Sequence, residues 1–294
     1  MTSTATAQSI TPELRRWIID QAEAGCRPQD VIESMKASGW HEDVAIKAME
    51  QTLREHLATL GGADGEPAAP EDLPPPSQVP EPELAGQPAS ITVGGREVKI
   101  LTLMKHPRVI VFGGFLSDDE CAGLVDLARP RLARSETVQN ATGGSEVNDA
   151  RTSDGMFFER GEHELIRRVE QRIADLLRWP VDHGEGLQVL RYRPGAEYRP
   201  HHDYFDPAQA GTPRILERGG QRVGTLVMYL NTPEGGGATT FPDVGLEVAP
   251  VRGNAVFFSY DRAHPSTKTL HGGAPVVAGE KWVATKWLRQ GVFV

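Results

Sequence analysis

The chain has 294 residues, of which 39% are hydrophobic and 24% are charged, which suits an ordinary folded core in one large or two unequal domains. The formal net charge of −9 provides no basic excess to neutralise phosphates, so we expect no nucleic-acid partner. No apolar run approaches the roughly 18 residues that a membrane-spanning helix needs, so we expect no membrane partner.

The N-terminus and the cysteines predict a cytoplasmic location. The opening stretch, MTSTATAQSITPELRR, lacks the apolar core and the cleavage site of a signal peptide. The two cysteines, Cys26 and Cys121, are distant in sequence and fall in different predicted domains. A disulfide framework is therefore not expected, and a reducing compartment is the simplest interpretation.

Residues 10–60 carry three short amphipathic patterns and are predicted to form a small helical module. The first helix begins after the capping hydroxyl of Thr11 and ends at Gly25, the second covers about residues 29–37, and the third follows a turn at Gly39. The stretch SMKASGWHEDVAIKAM resembles a ubiquitin-associated (UBA-like) three-helix module, which implies a protein partner. The alternative is a helical appendage that only packs or solubilises.

Residues 61–90 change in composition and are predicted to be an extended acidic linker rich in proline and alanine. They contain eight prolines, several glycines and acids, and no lysine or arginine. Such a composition cannot bury a core of its own.

Residues 91–294 are predicted to form the main domain. The stretch REVKILTLMKHPRVIVFGGFL indicates strands, and a helix follows with Ser117 and Glu120 in a capping box. A second helix is predicted over Glu162–Leu177. From residue 187 onward the pattern changes to short strands punctuated by glycine and proline: LQVLRY, RVGTLVMYLN, LEVAPV, NAVFFSY and KWVATKWL. Two helices followed by a block of short strands predict an α+β domain built on a jelly roll.

The stretch YRPHHDYFDP contains the first candidate for a metal site. Residues at i and i+2 on a strand point to the same side, so His201 and Asp203 can face one ion while His202 faces away. Two imidazoles and one carboxylate on one face of the metal are the ligand set of non-haem Fe(II) oxygenases. The third ligand must come from elsewhere, and the sequence leaves His264 and His271 as candidates.

The stretch LHGGAPVVAGEKWVATKW favours His271 as this third ligand. We expect a Gly-Gly turn directly after His271 and Lys281 on the strand that follows it. A lysine between apolar neighbours needs an explanation, because lysines are rarely buried without a partner. Binding of the distal carboxylate of 2-oxoglutarate would provide one.

Four motifs together resemble the catalytic core of the prolyl 4-hydroxylases, a family of Fe(II)/2-oxoglutarate dioxygenases. They are LQVLRYRPGAEYRPHHDYFD, GGATTFPDVG, GNAVFFSY and HGGAPVVAGEKWVATKWL. Upstream, FLSDDECAGLVDLARPRLARS and RTSDGMFF are similar to the supporting region of the same family, so the resemblance covers about residues 100–290 in order. It implies a double-stranded β-helix (jelly-roll) catalytic domain with supporting helices.

The resemblance also implies roles for ten residues. The iron ligands would be His201, Asp203 and His271. The residues around 2-oxoglutarate would be Lys281, Tyr192, Thr225 and Trp287, of which Lys281 and Tyr192 would hold its C5 carboxylate. The residues near the substrate would be Arg151, Arg222 and Tyr198. The alternatives are surface salt bridges for the two arginines, core packing for Tyr192 and Trp287, and a strand-capping position for Tyr198.

The implied activity is hydroxylation at C4 of a prolyl residue, with Fe(II), 2-oxoglutarate, O2 and ascorbate as cofactors and with release of succinate and CO2. We expect a peptide or protein substrate in the cytoplasm, with the loop at residues 136–150 closing over it. Hydroxylation of free proline or another small molecule is one alternative, and a non-catalytic adaptor is another. Asp203 argues against a halogenase, and zinc hydrolysis would leave Lys281 and Tyr192 unexplained.

Overall fold

The computed structural model describes residues 10–23, 28–60, 73–135, 137–138, 145–146 and 151–294. The chain divides into two compact units, Met1–Leu73 and Pro74–Val294. In the described part of the chain, no helix has both the length and the apolar character needed to cross a membrane.

The first unit contains the three predicted helices, α1 (Pro12–Glu23), α2 (Pro28–Ala37) and α3 (Glu42–Leu60). The Leu14 N–H donates to the Thr11 hydroxyl, 3.3 Å away, which confirms the predicted helix start. The helices share one buried apolar core, formed by Ile18, Val31, Ile32, Met35, Ala45, Ala48 and Met49. The three-helix prediction is therefore confirmed, whereas the likeness to a ubiquitin-associated module stays a prediction.

The second half of the predicted linker lies within the second unit, so the predicted end of the linker at residue 90 was wrong. The N–H of Ser77 donates to the Asp261 carbonyl at 2.6 Å, and the N–H of Glu81 donates to the Leu177 carbonyl at 3.0 Å. Pro80 is buried among these contacts. A proline-rich segment cannot form its own core, but its backbone can bond to a domain that already has one. Residues 61–72 lie outside the described residues.

The second unit is the α+β domain that the sequence predicts. Its helices are α4 (Asp118–Ala128), α5 (Glu164–Leu177) and α6 (Thr212–Leu216). Its strands are β1 (Ser90–Val93), β2 (Arg96–Met104), β3 (Arg108–Gly113), β4 (Ala133–Arg134), β5 (Thr137–Val138), β6 (Ser145–Glu146), β7 (Asp154–Phe158), β8 (Leu187–Tyr192), β9 (Tyr198–His201), β10 (Arg222–Tyr229), β11 (Gly235–Gly236), β12 (Thr239–Phe241), β13 (Leu246–Val248), β14 (Ala255–Ser259), β15 (His271–Gly273), β16 (Val276–Ala278) and β17 (Lys281–Arg289).

Two antiparallel sheets form the jelly roll. The large sheet has nine strands in the order β1-β2-β3-β14-β10-β17-β8-β7-β4, and the small sheet has four in the order β13-β12-β15-β9. One apolar core combines residues of the large sheet with those of α4 and α5. A second core combines the other face of the large sheet with residues of the small sheet, including Phe241 and Val248. The large sheet is therefore covered on both faces.

The two supporting helices begin close to their predicted positions. The Glu120 N–H donates to the Ser117 hydroxyl at 3.1 Å, and the Ser117 N–H donates to the Glu120 carboxylate at 3.0 Å, which confirms the capping box. Helix α5 begins at Glu164, two residues later than predicted, because Nδ1 of His163 accepts the Leu165 N–H and caps the helix.

The Gly-Gly pair after His271 is part of strand β15, so the predicted turn was wrong. A Cβ atom at Gly272 would lie 2.9 Å from the Tyr198 carbonyl oxygen and 3.2 Å from the Pro200 nitrogen. Glycine is therefore needed because β15 and β9 approach closely, and not because the chain reverses. Strand β16 also intervenes before Lys281.

Candidate active site

Three predicted metal ligands converge between the two sheets. His201 ends β9 and His271 begins β15, and the two residues are cross-strand partners. Nε2 of His201 lies 3.6 Å from Oδ1 of Asp203, and Nε2 of His271 lies 3.4 Å from Oδ2. The three ligand atoms lie within 4.8 Å of one another. Asp203 stands in a bend beyond the end of β9, so this bend, rather than strand alternation, turns its carboxylate toward His201.

The hydrogen bonds of the two histidines orient Nε2 of each ring toward Asp203. Nδ1 of His201 lies 2.9 Å from the Arg199 carbonyl, and Nδ1 of His271 lies 2.9 Å from the Thr269 carbonyl. Because a carbonyl only accepts, each Nδ1 carries a proton, and in the neutral ring this leaves the lone pair on Nε2. Two such imidazoles with a carboxylate are a donor set that fits Fe(II).

The protonation states of His201 and Asp203 also fit a metal. Burial, with a further contribution from His271, lowers the pKa of His201 to about 4, so its ring is neutral at physiological pH. Burial alone would raise the pKa of Asp203, but its interactions with His271 and His201 outweigh burial and hold that pKa well below the usual value. Asp203 is therefore a carboxylate, and both groups are ready to coordinate a cation.

A hydroxyl pair behind Asp203 was only partly foreseen from the sequence. Oγ1 of Thr225, on β10, lies 2.7 Å from Oδ2 of Asp203. The Tyr260 hydroxyl lies 3.0 Å from the same Oγ1. Thr225 was predicted to line the cosubstrate pocket; it lines the same cavity as the three candidate metal ligands, and it also bonds to one of them. Nothing in the sequence around Tyr260 predicted its position.

Lys281 and Tyr192 lie on the large sheet, where they are cross-strand partners on β17 and β8. Nζ of Lys281 is 5.4 Å from the centre of the Tyr192 ring and 5.9 Å from that of Tyr229. The side chain is 4% exposed, and it has no carboxylate partner in the described part of the chain. Burial lowers the pKa of Lys281 to about 8. A buried cation without a counter-ion is suited to receive an anionic ligand.

One cavity brings together all of the predicted site residues except Arg222. Its wall includes the metal triad, Tyr192 and Lys281, together with Thr225, Trp287, Arg151 and Tyr198. Sequence reasoning missed Val283 and Thr285, which also line it. The period of two along β17 from Lys281 through Val283 and Thr285 to Trp287 is the signal that would have found them.

The predicted substrate residues surround a second cavity that adjoins the first. Five residues line both cavities. They are Arg151, Tyr198 and Trp287 and the candidate metal ligands His201 and Asp203. The Tyr198 ring stacks on His201 with centroids 3.7 Å apart, and the Arg151 guanidinium lies 4.8 Å from the Tyr198 centroid. Nη2 of Arg151 donates to Gln188 at 2.7 Å. Burial raises the pKa of Tyr198 to about 12, so its hydroxyl stays a donor.

Arg222 lines only the second cavity, and most of its donors are already used. Its Nε and Nη2 donate to the two carboxylate oxygens of Glu185 at 2.6 and 2.9 Å. Nη1 donates to the Asp203 carbonyl at 3.4 Å, and the guanidinium lies 4.1 Å from the Trp287 ring centroid. The alternative of a surface salt bridge is therefore wrong, because the ion pair with Glu185 is buried. Arg222 supports the backbone of a metal ligand.

Neither His264 nor His202 belongs to the group of candidate metal ligands that the described residues form. Nδ1 of His264 accepts the Ser266 N–H at 3.0 Å and caps a short 3-10 turn. His202 stacks on Tyr204 with centroids 4.6 Å apart and lines the second cavity. Most of the predicted lid at residues 136–150 lies outside the described residues. Its described parts, β5 and β6, pair with each other in antiparallel fashion.

The jelly roll, the two histidines and aspartate between its sheets, and the unpaired lysine in the same cavity define a class of protein. That class is the Fe(II)/2-oxoglutarate oxygenases, whose chemistry calls for a metal-binding triad of this kind and a cation for the far carboxylate of the cosubstrate.

Comparisons with known proteins identify the family. Residues 187–289 match the model of the 2OG-Fe(II) oxygenase superfamily. The chain is 41% identical over 209 residues to probable prolyl 4-hydroxylase 3 of Arabidopsis thaliana, covering 64% of this chain and 71% of that protein. It is 44% identical over 202 residues to prolyl 4-hydroxylase 1 of the same plant, covering 63% and 69%. A solved viral collagen prolyl hydroxylase from Paramecium Bursaria Chlorella virus-1, in its 2OG complex, aligns with 31% identity and a TM-score of 0.49, over 62% of this chain and 95% of that one.

The chain therefore belongs to the prolyl 4-hydroxylase family of the 2OG-Fe(II) oxygenase superfamily. It is a 2-oxoglutarate-dependent dioxygenase, and Fe(II), 2-oxoglutarate and O2 are its cofactor and cosubstrates. The family predicted from the sequence motifs is confirmed.

Proposed function

We propose that this chain hydroxylates C4 of prolyl residues within a peptide or protein and releases succinate and CO2. The names of its plant relatives support the prolyl substrate. The two adjoining cavities support separate binding sites, one for 2-oxoglutarate and one for the peptide. When bound, Fe(II) would activate O2 with two electrons from 2-oxoglutarate, and this would supply the oxidising power for attack on an unactivated C–H bond.

The residues of the first cavity hold the cosubstrate in this proposal. Nε2 of His201, Nε2 of His271 and the Asp203 carboxylate would hold Fe(II). Lys281 and Tyr192 bind the distal carboxylate of 2-oxoglutarate, because Lys281 is a buried cation that otherwise has no counter-ion among the described residues. The apolar wall of the cavity excludes water from the reacting atoms.

Unpartnered side-chain nitrogens of residues that line the second cavity are the observation that carries the choice of a peptide. Nε of Arg151, Nδ1 of His202 and Nε1 of Trp287 are buried and have no hydrogen-bond partner among the described residues. All three residues line the second cavity. Buried nitrogens of this kind need acceptors, and an extended peptide offers one carbonyl per residue. A single proline molecule has too few acceptors to reach all three.

Aromatic side chains complete the second cavity. Tyr198 and Trp287 border the metal triad, and Phe157, Tyr204 and Phe205 extend the surface away from it. Aromatic-lined grooves suit proline-rich segments, because the polyproline conformation is already extended before it binds. We infer that the target proline packs near Tyr198 while its flanking carbonyls accept hydrogen bonds from the unpartnered nitrogens.

A comparison of two substrates tests this proposal. The purified chain with Fe(II) and 2-oxoglutarate is given either a proline-rich peptide with acetylated and amidated ends or free L-proline, and hydroxyproline is measured by mass spectrometry. We expect kcat/KM to be at least about 100-fold higher for the peptide, since three acceptor contacts of about 1 kcal/mol each separate the substrates. The same peptide with alanine in place of proline is the control. Equal or faster turnover of free proline would overturn the peptide assignment.

The first unit is proposed to bind a protein partner. Its three helices bury a core of their own, and the residues that line the two cavities all lie between positions 151 and 287. Deleting residues 1–73, rather than 1–90, removes this unit without removing the segment that packs on the catalytic unit. We expect unchanged turnover of a short peptide and loss of association with the partner. A large fall in peptide turnover would contradict a role in binding alone.

The cytoplasmic location predicted from the sequence is part of the same proposal. A search of the host proteome for prolines that carry one additional oxygen atom tests it, with the strain lacking this chain as control. Modified prolines confined to secreted proteins would contradict it.

A further inference from the structure

The Asp203 carboxylate is held from behind by two hydroxyl groups on the large sheet. Thr225 lies within β10, with its side chain 1% exposed, and Tyr260 follows β14 directly, with 2% exposed. The distance from Tyr260 to Thr225 is 3.0 Å between the two hydroxyl oxygens, and that from Thr225 to Oδ2 of Asp203 is 2.7 Å. Strands β10 and β14 are neighbours in the sheet, which fixes the separation of the two hydroxyls.

The chemistry of the carboxylate gives this chain of hydrogen bonds a direction. An ionised carboxylate only accepts, so the Thr225 hydroxyl must donate to Asp203. Its oxygen is then free to accept, and the Tyr260 hydroxyl donates to it. Such a series polarises each bond and strengthens the next.

The two oxygens of Asp203 therefore differ. Oδ2 accepts the Thr225 hydroxyl, whereas among the described residues Oδ1 has only the longer approaches of His201 Nε2 at 3.6 Å and Arg222 Nη1 at 4.0 Å. Arg222 also donates to the Asp203 main-chain carbonyl. The backbone of Asp203 is thus held from one side and its carboxylate from the other.

We propose that Tyr260 is a positioning residue that acts through Thr225 to fix the rotation of the Asp203 carboxylate and so raises the affinity of the site for a divalent metal. The inference rests on the assignment of His201, Asp203 and His271 as metal ligands. It differs from simple packing, in which the Tyr260 ring would matter through its neighbours Tyr204 and Phe258 and its hydroxyl would not.

Binding of Mn(II) to the full chain, without 2-oxoglutarate, tests the proposal independently of catalysis. The electron paramagnetic resonance signal of free Mn(II) gives the dissociation constant. We expect Thr225→Val to weaken binding by about 10- to 100-fold and Tyr260→Phe by about 3- to 10-fold, in the range found when residues that support a metal ligand are removed. Thr225→Ser keeps the hydroxyl and should stay within about twofold of the wild type.

Two comparisons separate positioning from packing. If Tyr260 acts through Thr225, the double variant Thr225→Val/Tyr260→Phe binds Mn(II) no more weakly than Thr225→Val alone. Tyr229→Phe is the matched control, because it also removes a buried tyrosine hydroxyl that donates to a threonine, Thr239, at 2.8 Å, but this pair does not contact Asp203. Tyr229→Phe should leave Mn(II) binding unchanged.

Three outcomes would overturn the proposal: unchanged binding in Tyr260→Phe, additive losses in the double variant, or an equal loss in Tyr229→Phe. Asp203→Ala tests the ligand assignment separately from the role of Tyr260. A wild-type affinity for Mn(II) in that variant would refute the assignment of Asp203 as a metal ligand. Melting temperatures measured without metal confirm that each variant is folded when its affinity is determined.

Discussion

Strand β17 carries two buried lysines whose surroundings differ sharply. Lys286 faces α5, where its Nζ lies 2.5 Å from the Glu170 carboxylate. Lys281 is five residues earlier and therefore faces the opposite side, toward the small sheet. It is buried to nearly the same degree as Lys286, but no carboxylate in the described part of the chain neutralises it.

Other buried charges on the two sides of the large sheet differ in the same way as the two lysines. On the helix side, Arg172 of α5 also forms a buried ion pair with Glu120 at 2.7 Å. On the side of the small sheet, Asp203 lies among imidazoles and Lys281 lies among tyrosines. Paired buried charges contribute to the unique packing of the fold, whereas an unpaired one lowers stability until a ligand arrives. For the two lysines, the comparison therefore separates a residue that serves the fold from a residue that serves the reaction.

Matched substitutions of two buried carboxylates should give the largest contrast. Asp203→Asn removes the charge of a metal ligand, and we expect succinate formation to fall by about a thousandfold, beyond the 10- to 100-fold loss typical of residues that only support a ligand. Glu170→Gln leaves Lys286 unpaired, so the free energy of unfolding should fall by about 3 kcal/mol while turnover per folded molecule is retained. Turnover assays and urea unfolding of both variants check this. Equal loss of turnover in both variants would contradict the division between the two sides of the sheet.

Replacing Lys281 and Lys286 in turn by methionine tests whether the buried cations on the two sides of the large sheet have different roles. Lys281→Met removes a charged contact to the cosubstrate worth about 3 kcal/mol, so the KM for 2-oxoglutarate should rise by about 100-fold. Its melting temperature without 2-oxoglutarate should not fall, because no ion pair is lost. Lys286→Met should behave in the opposite way, with a lower melting temperature and an unchanged KM. A lower melting temperature in Lys281→Met would mean that this lysine has a structural partner.

The pH dependence of cosubstrate binding should reveal the lowered pKa of Lys281. Burial brings that pKa to about 8, and only the protonated form attracts the carboxylate of 2-oxoglutarate. The dissociation constant should therefore be flat below about pH 8 and rise about tenfold per pH unit above it. Lys281→Arg stays charged over this range and should show no such rise. A wild-type affinity that is constant from pH 7 to 10 would contradict the assignment of Lys281.

Much of this arrangement was predictable because it depends on local patterns. The strand Leu187–Tyr192 and the capping box at Ser117 follow from alternation and from cap chemistry within a few residues. Residue spacing offered His201 and Asp203 as candidate ligands, but the choice of His271 in a distant segment depended on its sequence context and was implied by the family motifs. A family motif implies that β9 pairs with β15, because members of a family share one fold. The periodicity of hydrophobic residues does not show which strands pair.

The features that escaped prediction depend on which strands become neighbours. The approach of Gly272 to the Tyr198 backbone, the hydroxyl series from Tyr260 to Asp203, and the burial of Arg222 against Glu185 all join residues that are far apart in sequence. The packing of residues 74–90 on the rest of the second unit was not predicted for a related reason. Composition shows that this segment cannot form a core of its own, but it does not show which surface the segment can pack against.

His202 should give the smallest effect, because it is on the substrate side of the site but outside the metal triad. Its ring stacks on Tyr204, and its Nδ1 is one of the unpartnered nitrogens of the second cavity. His202→Ala therefore removes one hydrogen bond to the peptide, and the KM for a peptide should rise by about three- to tenfold with kcat and Mn(II) affinity preserved. Peptide titrations at saturating 2-oxoglutarate measure this, and His201→Ala, which should abolish metal binding, is the matched control. Loss of Mn(II) binding in a folded His202→Ala variant would reverse the assignment of the two adjacent histidines.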